Sequence, residues 1–372
     1  MNFSDSEVVA SILKKEGYEL TDNSKEANLV LLNTCSIRDK AEQTVRNKLK
    51  NFNSLKKQNN KLKVGLLGCM AERLKEKLIE EEQVVDLVVG PDSYKDLPNL
   101  LNEVEHNQKA VNVILSKSET YGDISPVRIH NNGINAFVSI TRGCDNMCTF
   151  CIVPFTRGRE KSRTITEIVN DTARLVAHQG VQEVTLLGQN VNSFGKKNGE
   201  SLAELIMELE KIDGLELIRY TTSHPYDISD ELIEVHGKSK KLANHLHLPV
   251  QSGSNTVLQR MLRQYSIEHY LERLDRLREA NPDIVISTDI IAGFPNETEQ
   301  EHRETLRLLD KARYDFIYSY NFSSRPGTKA ARMKDILTKD VRGRRLREIQ
   351  AHQLEIQAEV RQEMVGKTYR VL

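Results

Sequence analysis

The chain has 372 residues, and its 53 Lys and Arg are balanced by 53 Asp and Glu, giving a formal net charge of zero at pH 7. That balance removes any global electrostatic case for nucleic acid, so an RNA contact would have to use local basic patches. A mean hydropathy of −0.50, no apolar run near the eighteen or so residues of a membrane span and no charged-then-apolar leader pattern point to a cytoplasmic protein without a membrane segment. Five cysteines in so long a chain do not suggest a disulfide scaffold, and the length suits two or three domains.

Ser4-Asp5-Ser6-Glu7 reads as a capping box, with Ser4 as N-cap and Glu7 three residues on. Val8, Val9, Ile12 and Leu13 then form the apolar face of a helix that stops at Gly17. The chain therefore opens on a helix with no strand before it. Residues 27–35 read as a strand buried on both faces, followed by a charged helix over 37–57. A second apolar run at 64–67 leads through Gly68 to Cys69, and a charged helix follows at 71–82. A third strand at 84–89 ends at Gly90-Pro91, before a helix over 92–105. This alternation predicts a parallel sheet with covering helices. Ligands bind beyond the carboxyl ends of such strands. Cys35 and Cys69 both fall there, one βα unit apart, on one rim and close enough to share a ligand. The plainer alternative is two structural cysteines, since free Cys is commonly buried. Two thiols are few for an iron–sulfur cluster. A third is expected at the end of a strand preceding the first helix, so either the sequence begins late or the site is incomplete.

Residues 116–133 carry Ser, Gly, Pro and Asn with little apolar periodicity and read as a linker. Alternation then resumes, with strands expected at 136–141, 183–188, 216–222, 245–250, 284–291 and 315–321. Helices are expected at 164–179, 201–211, 227–237, 254–262, 266–280 and 297–312. The fold class is thus α/β: an N-terminal parallel-sheet βαβ domain followed by an incomplete (β/α)6 barrel, whose active site would lie at the carboxyl ends of the strands.

The first of those strands runs into residues 142–163, which hold Cys144, Cys148 and Cys151 in the spacing C-x3-C-x2-C, with Phe150 before the last cysteine. Three thiolates on one loop can hold three corners of a cubane cluster, which ordinarily takes four. One iron is then left open, as a catalytic zinc keeps one open position, and it can chelate the amino and carboxylate groups of S-adenosylmethionine. A zinc site would need a fourth ligand, and His130 is remote in sequence. The other strand ends are polar. Gly188 and Gly293 would let backbone approach a ligand closely. Gln189, Ser223 and Gln251 could hydrogen-bond the amino acid or ribose of the cofactor. Arg263 could pair with its carboxylate, or be a solvated helix-end arginine. Arg157, Arg159, Lys161 and Arg163 form a basic run that could bind phosphate, and Arg342, Arg344, Arg345 and Arg347 form another. Charge runs are more often solvated faces.

The cysteine loop resembles the radical S-adenosylmethionine superfamily. Further motifs make the chain resemble its methylthiotransferase family, most closely the branch acting on dimethylallyladenosine in tRNA. These are Asn33-Thr34-Cys35-Ser36-Ile37-Arg38, Leu67-Gly68-Cys69-Met70-Ala71, Val153-Pro154-Phe155-Thr156-Arg157-Gly158-Arg159-Glu160, Leu187-Gly188-Gln189-Asn190, Thr222-Ser223-His224-Pro225 and His247-Leu248-Pro249-Val250-Gln251-Ser252-Gly253. The resemblance implies a radical-SAM barrel and two 4Fe-4S clusters, one on Cys144, Cys148 and Cys151, the other, auxiliary, on Cys35 and Cys69. It places an N-terminal methylthiotransferase domain at 1–115, a linker at 116–133, the radical SAM domain at 134–365 and the start of an RNA-binding TRAM domain at 366–372. In the family a Cys-Gln-Met-Asn segment precedes the first helix, so the sequence is expected to lack that third auxiliary cysteine as well as most of the TRAM domain. The implied chemistry is reductive cleavage of S-adenosylmethionine, removal of the C2 hydrogen of N6-dimethylallyladenosine at position 37 of the tRNA anticodon loop, and transfer of a methylthio group. A base presented this way must be splayed from a single-stranded loop. No general acid–base pair is required and no catalytic side chain is singled out. An electron donor such as flavodoxin or ferredoxin is implied, with a monomeric enzyme. The same chemistry on threonylcarbamoyl-adenosine or on a ribosomal-protein aspartate is the near alternative, and a non-catalytic iron–sulfur electron carrier the distant one.

Overall fold

The structure is a computed structural model that describes residues 1–106, 108–129 and 133–368. His130 and the last four positions of the expected TRAM strand lie outside the described residues. Two compact units are present: one takes 1–147, 151–182 and 187–189, the other 148–150, 183–186 and 190 onwards.

The first unit begins with α1 (Asn2–Lys15), β1 (Leu29–Thr34), α2 (Asp39–Gln58), β2 (Lys63–Gly68), α3 (Cys69–Leu74), α4 (Lys77–Glu81), β3 (Leu87–Val89), α5 (Leu97–Glu105) and β4 (Ala110–Asn112). The four strands form one sheet in the order β1-β2-β3-β4, with every pair parallel. Successive strand side chains point to opposite faces, and both faces are covered. Val64, Leu66 and Val88 pack with Leu49 of α2, Met70 of α3 and Leu78 of α4. Leu67, Leu87 and Val89 pack with Val8, Val9, Ile12 and Leu13 of α1 and with Leu97, Leu100, Leu101 and Val104 of α5. The expected parallel sheet is therefore present, extended by the edge strand β4.

Three local readings change. The Ser4–Glu7 capping box does not form: α1 already starts at Asn2 without a side-chain cap, and Glu7 is buried in an ion pair with Arg128 at 3.2 Å. The helix expected over 71–82 is broken at Lys75, which adopts a positive φ of 52°. The stretch read as a linker is packed: Tyr121 and Ile124 join the core of α1 and α5, and the Tyr121 hydroxyl donates to the Pro91 carbonyl at 3.1 Å and accepts from the Tyr94 N–H at 3.0 Å.

The same unit continues through β5 (Asn135–Ser139), β6 (Thr141–Arg142), α6 (Val153–Thr156), β7 (Lys161–Ser162) and α7 (Ile165–Gln179). Strands β6 and β7 pair antiparallel and close the base of the cysteine loop. Helix α7 starts on a true capping box between Thr164 and Glu167.

Strand β8 (Glu183–Leu187) leads into the second unit, with α8 (Leu202–Glu210), β9 (Leu217–Tyr220), α9 (Asp230–Lys238), β10 (His245–His247), α10 (Asn255–Arg260), α11 (Ile267–Ala280), β11 (Val285–Ala292), α12 (Glu299–Ala312), β12 (Phe316–Asn321) and α13 (Lys339–Glu363). β8 pairs with β9, β10 with β11 and β11 with β12, all parallel. Single bridges at Ile218–Leu242 and Gln251–Ile290 extend the ladder. One face of this set is dry: Leu246, Ile286, Thr288 and Ile290 have no exposure. Strand–helix alternation with parallel pairing is the architecture expected from the sequence. Among the described residues no helix is long and apolar enough to cross a membrane.

Candidate iron–sulfur and cofactor site

Strands β1 and β2 run in register, with Thr34 opposite Gly68. Cys35 directly follows β1 and Cys69 opens α3 directly after β2, so the sheet brings both cysteines to the same end, where they interact electrostatically. Gly68 has φ of 88°, and a Cβ there would lie 2.6 Å from Asn33 Oδ1 and 2.8 Å from the Thr34 carbonyl. Only glycine fits both the conformation and the space. The Thr34 hydroxyl ties the strand ends together, donating to the Leu67 carbonyl at 2.6 Å and accepting from the Met70 N–H at 3.2 Å. Cys69 is buried and Cys35 half-buried. Burial pushes the Cys35 thiol up, the Ile37 N–H opposes that, and the Cys69 neighbour adds to it.

The residue that meets this pair is Arg157. Its Nε–H donates to the Cys69 sulfur at 3.2 Å, and its Nη2 donates to Asp5 at 2.7 Å and to Asn2 Oδ1 at 3.3 Å. The other Asp5 oxygen accepts from Arg142 Nη1 at 2.7 Å, and Arg142 Nη2 donates to the Pro91 carbonyl at 2.9 Å. Lys161 is held by Asp92 at 2.6 Å. Burial alone would raise the Asp5 carboxyl, but the Arg142 and Arg157 guanidiniums outweigh it and hold the group at about 2. Asp5 is thus shared by two cations that favour its ionised form.

A consequence can be measured. Asp5→Ala leaves two guanidiniums without their anion and is expected to cost about 3–5 kcal/mol in chemical denaturation at pH 7. The depressed carboxyl contributes stability that is complete above its unfolded value of 3.8 and lost as pH falls toward about 2, worth about 2 kcal/mol. The stability gap between wild type and Asp5→Asn should therefore narrow between pH 4 and pH 2, and a gap independent of pH there would refute the assignment.

These contacts correct the basic run. Arg157, Lys161 and Arg163 do not form a solvated phosphate-binding face, because each is buried against a carboxylate: Asp5, Asp92 and Asp171 respectively. Only Arg159 is open, with 66% of its side chain exposed. In the second run Arg345 is buried against Glu297 at 2.9 Å, Arg342 pairs with Asp335 and Arg344 with Glu299.

In the cysteine loop, Gly143 has φ of 80°. A side chain there would collide with the Arg159 carbonyl. Its N–H donates to Gln189 Oε1, and the Cys144 N–H donates to the Gly158 carbonyl at 3.2 Å. Gln189 is therefore a brace for the loop. Residues 148–150 are anchored within the second unit. The Thr149 N–H donates to the Met261 carbonyl at 3.0 Å, and the Thr149 carbonyl accepts from Ala330 at 2.8 Å. Phe150 packs on the core of Val257, Met261, Phe294 and Ala330, which explains an aromatic before the last cysteine. Arg263 Nη1 donates to the Cys148 sulfur at 3.4 Å, Nη2 donates to the Pro249 carbonyl at 2.6 Å, and the guanidinium lies 5.3 Å from the Tyr265 ring centre. Burial works against its charge, but Tyr265 and Cys148 more than offset it, so the group stays cationic. Arg263 is thus neither solvated nor free.

The remaining strand-end residues divide. Ser223 and His224 are buried, and Ser223 Oγ and His224 Nε2 have no hydrogen-bond partner. Burial drives the His224 imidazole down to about 2, and its Nδ1 accepts from the Tyr226 N–H at 3.2 Å, so Nε2 carries the proton and is free to donate. Gln251 has φ of 73° and bridges β11 through its own backbone, donating to Asp289 at 2.8 Å and accepting from Ile291 at 2.9 Å. Gly188 is buried. Gly293, with φ of 70°, is covered by the Arg342 side chain, whose Nε donates to its carbonyl at 2.9 Å.

All five cysteines are free thiols. Among the described residues no three His, Cys, Asp or Glu side chains converge on a point that would hold a single metal ion. A cubane offers a separate iron to each thiolate, so the ligands of such a cluster need not converge on one point.

Residues 1–90 match the model of the uncharacterized protein family UPF0004, and residues 138–309 match that of the Radical SAM superfamily. The chain is 52% identical over 390 residues to the tRNA-2-methylthio-N(6)-dimethylallyladenosine synthase of Flavobacterium psychrophilum, covering 100% of this chain and 81% of that protein. The protein of the same name from Chloroherpeton thalassium is 50% identical over 374 residues, covering 100% and 82%. The chain belongs to the tRNA-2-methylthio-N(6)-dimethylallyladenosine synthase family. Cys35 and Cys69 of this family member fall in the first matched region, and Cys144, Cys148 and Cys151 in the second. Among solved structures, the radical S-adenosylmethionine methyltransferase TsrM from Kitasatospora setae, with cobalamin and a [4Fe-4S] cluster bound, superposes with a TM-score of 0.65 at 14% identity, covering 88% of this chain and 70% of that one. The cobalamin-dependent S-adenosylmethionine radical enzyme OxsB superposes with a TM-score of 0.59 at 13% identity, covering 96% and 54%. At such identities these neighbours speak for the fold of the synthase-family chain and no further.

Proposed function

We propose that this chain is a radical S-adenosylmethionine methyltransferring sulfur enzyme, a methylthiotransferase. It adds a methylthio group to C2 of N6-dimethylallyladenosine at position 37 of tRNA. The observation that carries the reading is the pairing of Cys35 with Cys69 at the in-register ends of β1 and β2, in a chain that also has the C-x3-C-x2-C loop. A second thiol set is what sulfur insertion needs beyond radical generation, and the relatives carry the name of that reaction. The auxiliary site is assigned to residues 1–115 and the S-adenosylmethionine site to 134–365.

Two 4Fe-4S clusters would supply, when bound, the electron that cleaves S-adenosylmethionine and the sulfur to be transferred. Cys144, Cys148 and Cys151 would hold the first. Arg263 steadies the Cys148 sulfur by a charge-assisted hydrogen bond, and Gln189 fixes the turn at Gly143. The free Nε2–H of His224 and the hydroxyl of Ser223 are buried polar groups able to orient S-adenosylmethionine, alongside Gln251. Cys35 and Cys69 would hold the second cluster. Hydrogen bonds to ligand sulfur are a recognised lever on cluster potential. Arg159, the exposed member of its basic run, would meet a phosphate. A small soluble electron donor such as flavodoxin or ferredoxin, a monomeric state and a cytoplasmic setting complete the proposal.

The test is nucleoside mass spectrometry. Transfer RNA from cells lacking the gene should contain N6-dimethylallyladenosine in place of its 2-methylthio derivative, and a plasmid copy should restore the latter. Unchanged methylthio content in the deleted strain would end this reading.

A further inference from the structure

Arg157, Arg142 and Lys161 meet Asp5 and Asp92 in a region where all five side chains are between 1% and 5% exposed, and the partly buried Met1 ammonium faces Asp5, Arg157 and Cys69 as well. A buried guanidinium donor without a partner is costly, and Arg157 carries one. Arg157 spends Nη2 on Asp5 and Nε on the Cys69 sulfur, while its Nη1 is buried with no partner.

We infer that Arg157 is the positioning residue of the auxiliary site, its guanidinium held by Asp5 to neutralise and hydrogen-bond anionic sulfur at Cys69. The inference rests on the reading of Cys35 and Cys69 as cluster ligands. Ligand cysteines bind as thiolates, and a thiolate at Cys69 would meet the Arg157 guanidinium directly. Arginine suits the task because it stays protonated and presents several donors in a rigid fork, one for the carboxylate that orients it and others for sulfur. Asp5 orients the fork from one side, and Arg142 fixes Asp5 from the other.

The role makes a signed prediction for one-electron reduction of the auxiliary cluster, in which the cluster gains one negative charge. A cation beside it favours the reduced state. The chain would be reconstituted anaerobically with ferrous iron and sulfide, and both clusters titrated by electron paramagnetic resonance. Arg157→Gln should move the auxiliary potential to more negative values, Arg157→Lys should recover part of the shift, and Asp5→Asn should move it the opposite way. Misfolding would not produce shifts of opposite sign, and thermal midpoints recorded in parallel identify variants that do not fold. Equal potentials in wild type and Arg157→Gln, or shifts of the same sign in Arg157→Gln and Asp5→Asn, would overturn the inference. So would a wild-type chain that takes up no more iron than Cys35→Ala/Cys69→Ala. None of these outcomes touches the nucleoside assay, which judges the proposed function separately.

Discussion

Replacing Cys144, Cys148 and Cys151 together with alanine is expected to reduce 5′-deoxyadenosine formation from S-adenosylmethionine to the level of a protein-free control, measured anaerobically with dithionite as reductant. The size of the effect follows from the donor set. These are the only thiols in the matched Radical SAM region, so their loss leaves no sulfur to hold a cluster there. The loss should not come from unfolding. Phe150 and Thr149 anchor residues 148–150 to the core, and the neighbouring turn is held by Gly143, Gln189 and Gly158 through backbone groups and one amide side chain. Cysteine to alanine removes a single sulfur at each position, a small change among core substitutions. Circular dichroism and the thermal midpoint should therefore stay close to wild type while cleavage disappears. Cleavage that persists in the triple variant would remove these cysteines from the chemistry.

The second large effect separates the two halves of the reaction. Cys69→Ala is expected to abolish the methylthio product in an assay with tRNA bearing N6-dimethylallyladenosine, while 5′-deoxyadenosine continues to form. Cys69 sits at the head of α3 directly after the strand residue paired with Thr34, and no other cysteine in the first matched region besides Cys35 could replace it. The same result is expected for Cys35→Ala. Methylthiolation at wild-type rates in either variant would remove the auxiliary role of that thiol.

How much of this was legible from sequence differs by element, for physical reasons. The strands from β5 to β12 that carry long apolar or alternating runs, such as 285–292 and 316–321, fall within a residue or two of where periodicity puts them. Burial on both faces leaves the same signature in sequence and in structure. Strand β4 was missed because three residues at a sheet edge carry no period. The break at Lys75 was missed because it rests on a positive φ at a non-glycine residue, which no local pattern announces. The cysteines were plain from their spacing. Their environment was not: a charge run reads as solvated unless its partners are known. The partner of Arg157 is Asp5, 152 positions away, and that of Lys161 is Asp92, 69 positions away. Asp5 itself was hidden inside an apparent capping box. Only folding could show that Ser4-Asp5-Ser6-Glu7 is an interior face of α1 and not its solvent-facing start.

The in-register ends of β1 and β2 carry one more consequence. Nothing lies between Thr34 and Cys35, or between Gly68 and Cys69, to absorb a change in length. A residue inserted into either strand would rotate every later side chain to the opposite face of the sheet and send one thiol into the core of α1 and α5 or of α2 to α4. An insertion within the exposed turn after α2 would cost only loop-closure entropy, about 0.6 kcal/mol per doubling of loop length. Variation in length among natural forms of this domain should therefore concentrate in its helices and turns. The two strands act as rulers that keep a fixed count from their first residue to the sulfur.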